Sequence, residues 1–231
     1  MYIATSHHAR ILDYSSALRA RHMFDPDDID PDNISFLWSV YYCRQSPSAK
    51  EYLDFARQDL KDGNTPRHLI NALSNAKRAL HMRMEDVCLG FGAVSLKKLR
   101  NFHALSEYLK KCGLPSLSVL EKLNKARNDT EHDFTVPEQD MVEIYIDVAH
   151  LFLSATDRWS GRHPCDIETD HKNEAGDRRL REVSFHWDKG SVTLKINGKD
   201  SQRYEYPHSI TYTNKDPEFF KWVTFATKYS T

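Results

Sequence analysis

One long amphipathic segment constrains this chain more than any other feature. Apolar side chains recur at spacings of three and four residues from Leu69 to Val87, which is the period of one helix face. Thr65 and Pro66 are suited to the start of such a helix, and Gly90 to its end. A helix of about six turns has to bury this stripe against other elements. The stripe consists of Leu69, Leu73, Ala76, Leu80, Met84 and Val87.

Four further segments have the same period and are joined by short connections. They run from the capping box Ser48-Ala-Lys-Glu51 to Gly63, from Ser95 to Gly113, from Ser116 past Leu123, and from Pro137 to about Arg158. Short connections between long amphipathic helices are typical of antiparallel helical bundles. We therefore predict such a bundle over residues 48–160. Residues 1–47 form an N-terminal extension for which the sequence predicts no definite structure.

The last third of the chain has the period of a strand. Apolar and polar residues alternate over 183–187 and 192–196, and Asn197-Gly198 predicts a tight hairpin turn. Asp216-Pro217 begins a final amphipathic helix. We predict a small β-meander with a C-terminal helix over residues 161–231, and expect its aromatic side chains to form core. The predicted fold class is mainly α, an antiparallel helical bundle with a small C-terminal α+β meander.

Composition excludes several classes of protein. The net charge of −1 excludes a uniformly basic nucleic-acid coat. No apolar run reaches the roughly 18 residues of a membrane span, and residues 1–13 lack the order of a signal peptide. The cysteines form no Cys-x-x-Cys pair, so we expect buried reduced thiols and a cytoplasmic protein. They are Cys43, Cys88, Cys112 and Cys165. No zinc spacing, phosphate loop or dinucleotide fingerprint is present, so we expect no metal and no cofactor.

The near-zero net charge conceals a strong asymmetry. Residues 64–127 carry 12 Lys and Arg against 4 Asp and Glu, a balance of +8, whereas residues 128–157 carry 8 acidic residues and no Lys or Arg, a balance of −8. Two interpretations stay open: solvated helix faces that neutralise each other, or a basic wall that contacts RNA phosphates. On the second, the candidate substrate-binding residues are Lys97, Lys98, Arg100, Lys110, Lys111, Lys122 and Lys125.

The residues best suited to chemistry are Arg127, Asn128 and His132, at the end of the fourth predicted helix. Arg127 lies seven residues past Leu120, so it shares a helix face with the apolar stripe, where a cation needs a partner or a cleft. Glu131 is one local partner, and an Arg–Glu pair beside an incidental histidine is the structural alternative. His132 is about 140° from Arg127 round an ideal helix, so one helix does not bring the two side chains together.

This arrangement resembles the HEPN superfamily (higher eukaryote and prokaryote nucleotide-binding domains). Its members carry Arg-x4–6-His with a polar residue directly after the Arg, as in Arg127-Asn128 and His132, and the likeness covers about residues 48–158. It implies metal-independent RNA cleavage at a site shared by two copies of the chain. Members paired with nucleotidyltransferases carry a Tyr two residues after the His. Here that residue is Phe134, which weakens the expectation of an antitoxin of that kind and leaves another regulatory protein partner open.

The residue types suit the implied reaction, because RNA supplies its own nucleophile in the 2′-OH. His132 would move protons near neutral pH, Arg127 would stabilise the crowded phosphate through its planar donors, and Asn128 would orient either one. The predicted function is an endoribonuclease that acts as a homodimer, with the setting of a toxin or a phage-defence effector implied by the family. The alternatives are a non-catalytic HEPN domain that binds RNA, a nucleotide or a protein, and a structural subunit of a larger complex.

Overall fold

The fold is known from a computed structural model, in which the described residues are 23–41, 46–93, 99, 101–114, 135–176, 178–198 and 209–230. They form five α-helices and one five-stranded sheet. They divide into two compact units. The helical unit contains the described residues between 39 and 163, and the strand unit contains those between 23 and 38 and between 164 and 230.

The helical unit contains four of the α-helices. They are α1 (Ala49–Asp62), α2 (Pro66–Gly90), α3 (Phe102–Lys111) and α4 (Gln139–Ala155). The capping box that predicted α1 is confirmed: the Ser48 N–H donates to Glu51 Oε2 over 2.7 Å, and the Glu51 N–H donates to Ser48 Oγ over 3.2 Å. These two bonds satisfy backbone and side-chain groups that a helix end otherwise leaves to water.

Helix α2 packs against α1, α3 and α4. Every member of the predicted stripe is buried, which confirms the helix and its buried face. Leu80, Met84 and Val87 are completely inaccessible to solvent. Full burial of such side chains contributes roughly 1.5–3 kcal/mol each, so α2 supplies much of the core of this unit.

The third predicted helix begins later than the sequence indicated. Its N-cap is Asn101, whose Oδ1 accepts a hydrogen bond from the Ala104 N–H over 2.8 Å, and Leu99 precedes the helix. Asn is as good an N-cap as the Ser95 that the prediction used, so local chemistry alone did not separate the two starts. The fourth predicted helix, from Ser116, lies outside the described residues. The fifth is α4, and a 3-10 turn (Asp157–Trp159) follows it.

The sheet has the order β1-β2-β3-β4-β5. Its strands are β1 (Ile34–Val40), β2 (Arg162–Lys172), β3 (Arg178–His186), β4 (Ser191–Gly198) and β5 (Ser209–Thr213). The pairs β2–β3, β3–β4 and β4–β5 are antiparallel. Within the strand unit, α5 (Pro217–Tyr229) packs on β4 and β5 and buries Phe219, Trp222, Val223 and Ala226 of its predicted apolar face. Tyr229, which the sequence pattern puts on the same face, is half-buried.

The fold is therefore α+β, and the prediction of a mainly α protein with a small meander is wrong. The difference comes from β1 and β2, which the sequence analysis did not recognise as strands. β2 is rich in charged and polar residues, and backbone hydrogen bonds hold it in the sheet whatever its side chains are. A search for apolar alternation does not find such a strand.

A second correction concerns the turn. Asn197 and Gly198 are strand residues, which pair with Arg179 and Arg178 in β3, so the predicted hairpin turn at that dipeptide is wrong. The tight connection between β3 and β4 is instead at Gly190, which adopts the left-handed conformation with φ of 58°. Glycine reaches that region without the steric cost that a Cβ imposes.

The expectation that aromatic side chains of the meander form core is confirmed at Phe185 in β3 and at Trp187, which directly follows that strand. Both are buried and stack with ring centroids 4.6 Å apart, and the Trp187 indole donates to the Pro164 carbonyl over 2.7 Å. Such buried rings offer no face on which a base could stack.

Candidate functional site

The sequence-predicted site falls where the structure gives no description. Arg127, Asn128 and His132 lie outside the described residues, and so do Glu131 and Phe134. The same holds for the predicted substrate-binding residues Lys97, Lys98, Arg100, Lys122 and Lys125. Of the basic wall, Lys110 and Lys111 are described, and both are exposed in the last turn of α3.

A pocket of about 300 Å³ in the helical unit is the most chemically distinctive site among the described residues. Side chains from α1, α2 and α4 and from the 3-10 turn after α4 surround it. They are Lys50, Leu53, Arg57, Arg83, His150, Leu153, Ser154 and Asp157. We call it the Arg83 pocket.

Arg83 is the unusual member of the set. Only 7% of the residue is exposed, and its Nε has no hydrogen-bond partner among the described residues. One terminal nitrogen lies 3.9 Å from a carboxylate oxygen of Asp157, which is too long for a hydrogen bond. The Asp157 side chain is itself 78% exposed. A buried guanidinium normally needs good hydrogen bonds to offset the loss of water, so Arg83 retains unused donor capacity.

Further cationic and polar groups surround this guanidinium. Lys50 and Arg57 stand seven residues apart on the exposed side of α1, while His150 and Ser154 stand one turn apart on α4. Leu53 and Leu153 line the same pocket and are buried. The lining contains three cationic side chains, Lys50, Arg57 and Arg83, against the single carboxylate of Asp157, and Arg57 lies 3.5 Å from Asp54 on the exposed side of α1. This composition favours an anionic ligand with several acceptor oxygens.

Arg83 was not among the residues predicted from the sequence, although its position on an apolar helix face could have indicated a functional residue. Arg83 lies three residues past Leu80 and four before Val87, so it falls on the apolar stripe of α2. The same geometric reasoning drew attention to Arg127. The positions of Lys50 and Arg57 carry no such signal, because exposed cations on a helix are common.

A second pocket, of about 690 Å³ in the strand unit, is less suited to a charged ligand because two of its charged residues, Asp170 and Arg179, already pair with each other. The Asp170 carboxylate accepts a hydrogen bond from Arg179 over 2.6 Å and another from Arg181. The hydrogen bond from Arg179, together with the two positive charges, lowers the pKa of Asp170 below its usual range. A ligand would have to compete with these contacts.

Other kinds of site find little support in the part of the chain that the structure describes. No group of three or more His, Cys, Asp or Glu side chains there could hold a metal ion. No helix in these ranges is long and apolar enough to cross a bilayer. Burial raises the pKa of the Cys88 thiol, and burial is also the main cause that raises the pKa of Cys165 to about 11, so neither provides a ready thiolate nucleophile.

No family model, curated protein or solved structure matches this chain. The functional argument therefore rests on its own residues, namely the Arg83 pocket and the motif at Arg127, Asn128 and His132.

Proposed function

We propose that this chain is an RNA-binding, metal-independent endoribonuclease of HEPN type, and that its helical unit contacts RNA phosphates at the Arg83 pocket. The observation that carries the binding is the guanidinium of Arg83, which is buried beside Lys50 and Arg57 and whose Nε has no hydrogen-bond partner in the part of the chain that the structure describes. Phosphate contacts from Lys and Arg supply most of the affinity of proteins for RNA that does not depend on base sequence. The planar donors of Arg also fit phosphate oxygens in pairs.

The cleavage half of the proposal rests on the sequence motif. His132 takes the proton of a 2′-OH or returns one to the leaving oxygen, and Arg127 stabilises the charge that develops on the phosphate. Asn128 orients Arg127 or the phosphate. Because a single helix separates Arg127 and His132 by about 140°, a symmetric homodimer brings the Arg127 of one copy to the His132 of the other. The resemblance adds a setting in toxicity or phage defence, the composition adds a cytoplasmic location, and a regulatory protein partner stays open.

The deciding experiment incubates purified full-length protein with mixed RNA in excess EDTA. We expect cleavage by the parent protein, and none by His132→Ala or Arg127→Ala. His186→Ala is the matched control, because His186 also follows an arginine by five residues, at Arg181, but lies in strand β3. Cleavage that survives both motif substitutions, or that requires Mg²⁺, would contradict the mechanism.

A non-catalytic RNA-binding or nucleotide-binding domain is the second candidate, because the Arg83 pocket holds anion-binding groups and needs no reacting group to bind. Salt-sensitive RNA binding by the parent protein, without cleavage, would favour it. A chain with neither RNA affinity nor cleavage would be a structural partner of other proteins, and that result would overturn both halves of the proposal.

A further inference from the structure

The Arg83 pocket permits a statement about its ligand that goes beyond RNA binding in general. We infer that it accepts a phosphate monoester, the group that ends a phosphorylated RNA chain or a mononucleotide, and that the Asp157 carboxylate competes with this group for Arg83. The inference deepens the proposed function and rests on it for the identity of the ligand as a nucleic-acid phosphate.

The pocket is positively charged. Its lining carries three formal positive charges, from Lys50, Arg57 and Arg83, against one negative charge from Asp157, and Arg57 is also ion-paired with the exposed Asp54 outside the lining. A phosphate monoester carries about −1.5 to −2 at pH 7 and has three terminal oxygens. An internal phosphodiester carries a single negative charge and has two such oxygens. The monoester therefore matches the charge of the pocket more closely.

The pocket also supplies hydrogen-bond donors. The buried Nε of Arg83 has no hydrogen-bond partner among the described residues, and Lys50 and Ser154 contribute donors from exposed positions on two helices. Arg57 adds a guanidinium, one nitrogen of which lies 3.5 Å from the Asp54 carboxylate. Hydrogen bonds between charged partners are roughly twice as strong as neutral ones. A group with three acceptor oxygens can engage donors on several sides at once, whereas a phosphodiester has two of its oxygens occupied by sugars.

The pocket is also small. A volume of about 300 Å³ is at the lower end of the range of small-molecule sites, roughly 300–1,000 Å³. A phosphate monoester is attached to the rest of its molecule through one ester bond only, so the remainder of the ligand can stay outside. A phosphodiester has to accommodate the chain on both sides of its phosphate, and the buried side chains of Leu53 and Leu153 take up part of the lining.

Asp157 gives the inference its sharpest test. Its carboxylate is mostly exposed and lies 3.9 Å from a terminal nitrogen of Arg83, a distance at which the attraction is weak. A dianion that binds Arg83 meets the repulsion of this carboxylate. Removing the negative charge of Asp157 should therefore strengthen binding, which is the opposite of what loss of a structural contact would do.

The experiment measures binding by calorimetry with the full chain, and uses inorganic phosphate, adenosine 5′-monophosphate and adenosine as probes. We expect the first two to bind and adenosine to show no binding. Arg83→Met should weaken binding by about tenfold or more, and Asp157→Asn should tighten it by about three- to tenfold. Arg78→Met removes the same charge from an exposed position of α2 outside the pocket, and should leave the affinity unchanged.

A short RNA with and without a 5′-phosphate distinguishes the source of the monoester, measured in the His132→Ala background so that the RNA stays intact. If the phosphorylated RNA binds more tightly than adenosine 5′-monophosphate, the ligand is an RNA end; if these two bind equally, the ligand is a free nucleotide. The RNAs with and without the 5′-phosphate could instead bind with the same affinity, and Arg83→Met could lower that affinity. This result would overturn the monoester inference and leave RNA binding in place. Arg83→Met with unchanged affinity for every probe would overturn the pocket in both roles. If Arg83→Met does not fold by circular dichroism, Asp157→Asn decides, because weaker or unchanged binding there contradicts the inference.

Discussion

The imidazole of His163 stacks on the ring of Tyr41, with ring centroids 5.0 Å apart and ring planes 14° apart. The Tyr41 hydroxyl donates a hydrogen bond to the Trp159 carbonyl over 2.8 Å. His163 is only 8% exposed, and its burial lowers its pKa below the ordinary 6.5, an effect that a hydrogen bond with the Gly90 backbone partly offsets. The residue is thus folded into the helical unit in its neutral form.

We expect the stability of the protein to fall as the pH drops below about 6.5. In that range the His163 imidazole takes up a proton in the unfolded chain but stays neutral in the folded chain. The free energy of unfolding therefore falls by up to about 1.4 kcal/mol per pH unit from this group. His163→Phe keeps an aromatic ring against Tyr41 without a titrating nitrogen, and should flatten the dependence. The measurement is the free energy of unfolding in urea between pH 7.5 and 5. A slope in His163→Phe equal to that of the parent protein would contradict the prediction.

Ser48→Ala should destabilise the protein by about 1 kcal/mol, since an N-cap hydroxyl satisfies a backbone N–H that alanine leaves to water. Thr65→Ala is the matched control, because Thr65 occupies the N-cap position of α2 without a side-chain hydrogen bond to the backbone. Urea unfolding of both variants gives the comparison. Losses of the same size in the two variants would show that the capping geometry does not matter.

The described cysteines should react slowly with iodoacetamide in the native protein, because their thiols are buried or have a raised pKa. Cys88 and Cys112 are buried, and Cys165 is half-buried with its pKa raised to about 11, while Cys43 lies outside the described residues. With its pKa raised to about 11, the Cys165 thiol is mostly protonated at pH 7.5, so iodoacetamide should modify it far more slowly than a free thiol. Peptide mass mapping of native and urea-unfolded protein measures the labelling of each site. Rapid labelling of Cys88 in native protein would contradict its placement in the core.

The basic segment at residues 97–100 should contribute to RNA affinity through charge. Replacing Lys97, Lys98 and Arg100 with Gln together should reduce the log–log dependence of RNA affinity on salt by about 2–3, at about 0.7–0.9 per phosphate contact. Cleavage of saturating RNA should be unaffected. A control with the same loss of charge uses exposed lysines of the strand unit, namely Lys172, Lys189 and Lys215. Identical slopes for parent and triple variant would favour solvated helix faces that do not contact RNA.

We expect the protein to be a two-fold symmetric dimer, because Arg127 and His132 do not converge on one helix. Light scattering at micromolar concentration measures the mass, and mixing inactive Arg127→Ala with inactive His132→Ala tests the sharing of the site. Mixed dimers should recover part of the activity, since one of their two composite sites keeps both residues. A monomer with full nuclease activity would contradict the prediction.

The helices with complete local signals were predictable from the sequence alone. The capping box at Ser48, the stripe of α2 and the amphipathic pattern of α5 all appear as predicted. The reason is that caps and periodic stripes act within one or two turns of the chain, and their spacing reflects the geometry of a single helix. The predicted start of α3 was wrong, because Asn101 and Ser95 are both good N-cap residues and local chemistry does not choose between them.

The strands and the candidate site depended on the tertiary structure. β1 and β2 belong to one sheet although more than a hundred residues separate them along the chain, and backbone pairing leaves little trace in the side chains of β2. The position of Arg83 on an apolar stripe was readable from its spacing. Its unpartnered Nε and its neighbours from α1 and α4 were not, because three helices must pack before those groups share a pocket. Sequence thus determined which helical faces are buried, and packing decided which charges the burial brings together.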